Sequence, residues 1–188
     1  MGLSVQRTLA EFCGAVLLEK KPAALFSSEI SRVQFFEAKA LLQESGLELS
    51  ILCVRRRKKV CLAYDCALLE LSLTHCVTRG VLERLGYPAD APLEEMLHTL
   101  KQRAQGCPSD TFPHEIGFFL GYPPVDVVGF IALSGRRYKY SCLWKVYGDV
   151  EQAKTLCQEF ETCRQISCRH IELGGSLQTL RQKTKRAG

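Results

Sequence analysis

The chain carries no Gly-x-Ser-x-Gly elbow, no phosphate-binding glycine loop and no dinucleotide fingerprint, so the common signatures of acyl hydrolases, P-loop enzymes and Rossmann proteins are missing. No Cys-x-x-Cys occurs among its ten cysteines, which removes the paired spacing of zinc ribbons and iron–sulfur proteins. Uninterrupted apolar runs stay far short of the roughly 18 residues that cross a bilayer, and no membrane span is predicted. An export signal is missing as well. Phe12 to Leu18 is a short apolar patch that follows Glu11 and runs into Glu19, Lys20 and Lys21 without a small-residue cleavage pattern. These absences predict a cytoplasmic protein with reduced thiols, most of them small core residues.

What is present fits one globular domain. The 188 residues are 46% apolar and 24% charged, enough to bury a core and too hydrophobic for disorder. The net charge of +5 is concentrated. Arg181, Lys183, Lys185 and Arg186 supply four of those five charges, and the pentapeptide Arg55 to Lys59 holds five more cations, so the rest of the chain is acidic. No broad basic face follows. A single domain is expected over 1–180, with 181–188 a frayed basic tail.

Periodicity predicts an α+β fold, helix-rich, with a small and mainly antiparallel sheet built from a hairpin at about 47–65 and a later strand at about 140–147. Leu9, Phe12, Cys13 and Val16 have helical spacing over 4–18. Lys21 to Ser27 reads as a break after Pro22. Ser31 is placed to cap a second helix that stops near Gly46. Helices are expected at 66–73, 78–85, 92–104, 113–120, 125–133 and from Asp149 to about 171. Leu-Gly-Tyr-Pro occurs at 85–88 and again at 120–123, each read as a helix stop.

Three constellations could carry chemistry. Cys157, Cys163, Cys168 and His170 are dense in sequence, but on one helix Cys157 and Cys168 stand roughly 16 Å apart, and Cys163 and His170 roughly 10 Å. Buried thiols are the expectation and a metal centre is not. The second is Phe112 to Pro123. Pro113 suits a first helical turn capped by Asp110 or Thr111. Ile116, Phe119 and Leu120 would then face the core, leaving His114, Gly117, Phe118 and Gly121 together, where two glycines admit a close neighbour. That neighbour is either a ligand or a packed helix. His-Glu is not the zinc-protease signature, because Phe118 stands where a second histidine would be needed. The third is Trp144 to Asp149. In a strand Lys145 and Tyr147 share a face, ahead of a helix N-terminus that suits an anion, although Asp149 as N-cap competes for the same amides.

Pro113, His114, Glu115, Ile116, Gly117, Leu120 to Pro123, Asp126, Val127, Gly129 and Phe130, with Trp144 to Asp149 and Lys21, Pro22, Ala23, Leu25 and Phe26, resemble the domain of unknown function 3793 family of anaerobic, clostridial-type bacteria. The resemblance covers nearly the whole chain, Gly86-Tyr87-Pro88 included. It implies kinship without a catalytic mechanism to carry over. Relatives encoded near flavodoxins or iron-uptake functions imply a redox or iron setting, with a flavodoxin-like or other redox protein as partner. The chain departs from the family pattern before Lys21-Pro22, where Glu11 to Val16 replaces a His and Ala-Pro-Thr stretch, and at Ala24, which replaces Asn.

Three functions compete at this point. The first is a ligand- or partner-binding module, non-enzymatic, using His114, Gly117, Gly121, Tyr122, Lys145 and Tyr147, with no cofactor named by the residues. The second is an enzyme with His114 and Glu115 as acid and base. Adjacent helical residues diverge by about 100°, which argues against their meeting at one atom. The third is RNA or anionic-partner binding through Arg55 to Lys59. It is weakened by the want of interleaved aromatics, and nucleic acid is not expected.

Overall fold

Three strands form the central sheet, flanked by helices on both faces, in a computed structural model that describes residues 2–108 and 111–187. The chain opens with α1 (Gly2–Leu17), β1 (Ala23–Ser28), α2 (Arg32–Glu44), β2 (Glu48–Arg55) and β3 (Lys58–Tyr64). It continues with α3 (Cys66–Leu73), α4 (Cys76–Arg84), α5 (Leu93–Gly106), α6 (Ile116–Phe119) and α7 (Pro124–Leu133). A small hairpin of β4 (Tyr140–Ser141) and β5 (Lys145–Val146) leads into α8 (Val150–Glu172) and α9 (Leu177–Ala187). Among the described residues no helix is long and apolar enough to cross a membrane.

The α+β class and the antiparallel hairpin stand as expected, but the third strand of the sheet comes from elsewhere. β1, read from sequence as a break, pairs antiparallel with β3, and the order is β1-β3-β2. Pro22 precedes this edge strand, where its missing N–H removes nothing from the ladder. Segment 140–147 is not one strand in that sheet. It folds back on itself, with Tyr140 opposite Val146 and Ser141 opposite Lys145.

Alternation splits the core. Ala24, Phe26, Leu49, Cys61 and Ala63 pack toward α1, α2 and α9, whereas Ala23, Leu52, Val60 and Leu62 pack toward α3 to α7. Gly14 marks the crossing of α1 and α8, since a Cβ there would stand 2.9 Å from the Cys163 carbonyl oxygen. Local signals acted as sequence chemistry requires. Ser31 and Gln34 form a reciprocal capping box on α2. Gly46 and Gly86 take positive φ at helix ends.

The basic pentapeptide is a two-residue turn with Arg56 and Arg57 both at positive φ, the primed geometry that matches strand twist. Two of its five cations are committed to the fold. Arg55 donates to the carbonyls of Ala104, Pro108 and Thr111 and lies over Phe112, while Lys59 donates to the Ile30 carbonyl.

The expected helix over 113–120 is shorter, running only over α6. Thr111 bonds back to Pro108 instead of capping it, and Asp110 lies outside the described residues. Residue 181 does not begin a frayed tail. It sits inside α9, where Arg181 is buried; Gly188 lies outside the described residues.

Candidate functional site

A cavity of about 410 Å³ opens between the segment 112–117, α7 and the β4–β5 hairpin. His114, Gly117, Tyr122 and Lys145 all line it, from three separate parts of the chain. Phe112, Phe130 and Trp144 give it aromatic walls. The His114 ring meets Phe130 edge to face, with centroids 4.8 Å apart. Lys145 Nζ lies 5.8 Å from the Phe130 centroid and 4.8 Å from that of Tyr138, and donates to the Gly135 carbonyl at 2.7 Å. That carbonyl follows the end of α7, where a cation also complements the helix dipole.

Asp126 builds the wall. Its Oδ2 accepts from Trp144 Nε1 at 2.7 Å, and its Oδ1 accepts from the amides of Tyr147 and Gly148, each at 2.8 Å. A side chain on α7 thereby fixes the strand that carries Lys145. Sequence reasoning passed over Asp126 as a site residue. The available signal was a lone acid inside the apolar run Val125 to Leu133, because a charge buried there needs dedicated partners. Cys142 and Cys157 form a disulfide that ties the hairpin to α8, which corrects the expectation that all ten thiols are reduced. Eight remain free.

The other predicted positions lie elsewhere. Glu115 is buried, and its Oε1 accepts from Tyr87 Oη at 3.1 Å and pairs with Arg103. Since Arg103 also holds the Leu85 carbonyl at 2.9 Å, Glu115 joins α5 to the end of α4 and does not pair with His114. Gly121, at φ +72°, packs on the Pro22 ring beside a separate groove of about 830 Å³, which Tyr122 also lines. Tyr147 does not share a face with Lys145 in the cavity. Its ring covers Gly129, where a Cβ would lie 2.5 Å from Tyr147 Cγ. Two-residue strands are too short to enforce alternation, so Trp144 and Lys145 line the same cavity. The close neighbours of Gly117 are Val127 on α7 and Tyr122, so protein packing accounts for that glycine. Phe118 is core, and Ile116 faces the cavity. Asp149 caps α8, accepting from Glu151 and Gln152 amides at 2.9 and 3.0 Å. Among the described residues no three of His, Cys, Asp and Glu converge as metal ligands.

Residues 9–181 match the family described as Protein of unknown function (DUF3793). The chain belongs to the DUF3793 family. No curated protein and no solved structure gives a significant match. The matched span of this DUF3793 chain takes in the whole cavity wall and the Lys21-Pro22 pair.

Lys21 backs the cavity from behind Tyr122. Its Nζ lies 4.9 Å from the Tyr122 ring centroid and 5.4 Å from that of Phe160, and Tyr122 stacks on Trp144 at 4.6 Å. Burial pushes the Lys21 ammonium down from 10.5 to about 8, opposed by the neighbouring Cys13. The folded chain then releases this proton before the unfolded chain does, so Lys21 adds stability as pH rises from about 8 toward 10.5. Burial of the Cys13 thiol, which moves it from 9.0 to about 12, acts in the opposite sense above pH 9. Lys21→Met is expected to raise stability at pH 7 by roughly 1–2 kcal/mol. The difference in urea midpoint from wild type should shrink between pH 8 and 10. A difference constant with pH would refute the buried-ammonium account.

Proposed function

We propose that this DUF3793 chain is a non-enzymatic binding protein whose small-molecule ligand sits in the cavity between His114 and Lys145. The observation that carries the reading is the convergence of those two side chains on one aromatic-walled cavity of about 410 Å³, a volume within the range of small-molecule sites. The wall is held by the bonds of Asp126 to Trp144, Tyr147 and Gly148, as a preformed site requires. Commitment of Glu115 to Arg103 and Tyr87 weighs against an acid–base pair with His114. Commitment of Arg55 and Lys59 to backbone carbonyls weighs against the basic turn as an RNA surface. Eight free thiols among ten cysteines support a reducing compartment, the cytoplasm. A lone disulfide in the cavity wall is a two-electron group that supports a redox protein as partner.

Native mass spectrometry of protein purified without oxygen tests the reading. Wild type is expected to carry an additional small-molecule mass that the His114→Ala/Lys145→Ala double variant has lost. An apo mass for wild type, joined by no thermal shift across a metabolite collection, would overturn it.

A further inference from the structure

We infer that the cavity takes a flat aromatic molecule bearing a carboxylate or similar oxyanion, an inference that rests on the binding function proposed above. Three lining side chains are carboxylic or basic by type: His114, Asp126 and Lys145. The Asp126 carboxylate already accepts three hydrogen bonds from the wall. Its negative charge is thereby spent on the indole and two amides, and it offers a ligand little acceptor capacity. Lys145 is different. One of its three N–H groups goes to the Gly135 carbonyl, and its remaining surroundings are the Phe130 and Tyr138 rings. Two donors on a fixed cation are left for a ligand. His114 is exposed at the rim and contributes a further donor beside the same Phe130 ring.

The polar functions left open in this cavity are therefore weighted toward donors and positive charge, and the matching ligand group is an anion. The remainder of the lining decides the body of the ligand. Phe112, Phe130 and Trp144 present aromatic surface, and Ile116, Val127 and Leu143 aliphatic surface. A flat apolar ring system gains most against such walls. A sugar phosphate or a small inorganic oxyanion would satisfy Lys145 and leave those walls wet. A cationic ligand would face Lys145 with no free carboxylate to receive it.

Trp144 supplies the measurement, because it is the only tryptophan in the chain and its indole N–H is bonded to Asp126 inside the wall. A single indole cross-peak in a nitrogen–proton correlation spectrum therefore reports on the wall of this cavity. The probes are 2-naphthoate and its neutral isostere 2-naphthamide. The carboxylate is expected to shift the Trp144 peak saturably, with an affinity at least ten-fold above that of the amide. Lys145→Met should abolish that ten-fold preference, and an apo Trp144 peak retained near its wild-type position shows that the wall is intact. If Lys145→Met disturbs the wall, His114→Ala serves as the second variant and should reduce the preference in the same direction. Equal affinity for both probes overturns the anion inference and leaves ligand binding standing. Failure of both probes to move the peak at millimolar concentration overturns the ligand class, and an apo wild type in native mass spectrometry then removes the binding function as well.

Discussion

Asp126→Ala is expected to lower stability by about 3–5 kcal/mol, because it leaves the Trp144 indole and the Tyr147 and Gly148 amides as unpaired donors inside the protein. The fall should appear as a lower urea midpoint and as loss of near-ultraviolet circular dichroism from Trp144. Asp126→Asn separates the two oxygens. Its carbonyl can still accept from both backbone amides, but its NH₂ then faces the indole N–H, donor against donor. A loss of about 1–3 kcal/mol is expected for that variant. Trp144→Phe should be less harmful in the Asp126→Asn background than in wild type, since the opposing donor has gone. Additive losses in this double-mutant cycle would show that the Asp126–Trp144 bond does not hold the wall. Ligand binding should weaken in Asp126→Asn through the same displacement, because this carboxylate fixes Trp144 and the strand beside it that carries Lys145.

Signals confined to a few neighbouring residues could be read from the sequence. The α2 capping box needs only Ser31 and Gln34, and the helix stops need only Gly46 and Gly86. The β2–β3 hairpin was legible from its apolar runs, although its turn uses Arg56 and Arg57 where Asn-Gly would be usual. β1 was hidden because Ala23 and Ala24 have weak strand preference and acquire it only by pairing with β3. The segment 140–147 read as one strand because the alternation continued across the turn at Cys142 to Trp144, where Cys142 N bonds the Trp144 carbonyl.

The cavity was legible in part for the same reason. His114 and Lys145 stood out as polar residues in apolar surroundings, and the fold brings both to one cavity with Gly117 and Tyr122. Gly121 shares a face with His114 only if 113–120 is a full helix, and Tyr147 shares one with Lys145 only if 140–147 is one strand; neither element forms, and the two residues pack against Pro22 and Gly129. What could not be read was the set of long-range polar bonds. Asp126 binds amides more than twenty positions away, and no residue type announces a backbone amide as its partner. Glu115 is similar: its partner Arg103 lies on a different helix, and the pairing depends on how α5 meets the end of α4.

Arg181 shows how composition misleads when a charge has a buried partner. A run of four cations without an acid reads as a solvated tail, yet Leu177, Leu180 and Arg181 form the buried stripe of α9. Arg181 Nη1 donates to the carbonyls of Val16 at 2.6 Å and Leu17 at 3.3 Å, the open end of α1. Its Nη2 pairs with Asp65 and, at 3.2 Å, with Glu19. Asp65 in turn caps α3 by accepting from the Leu68 amide at 2.9 Å. One guanidinium thus joins the end of α1, the start of α3 and α9. Arg181→Ala is expected to lower stability by about 3–5 kcal/mol, because the buried Asp65 loses its cation and the Leu17 carbonyl its side-chain donor, while the Val16 carbonyl keeps only the Glu19 amide. Ending the chain after Leu180 should do at least as much harm, and ending it after Thr184, beyond the buried stripe, should change the stability read from urea unfolding by less than about 1 kcal/mol. Asp65→Asn is expected to recover part of the loss in the Arg181→Met background by removing the unpaired charge while keeping an α3 cap. Equal, small effects of the two truncations would return residues 181–187 to the status of a solvated tail and leave the end of α1 to be satisfied by water.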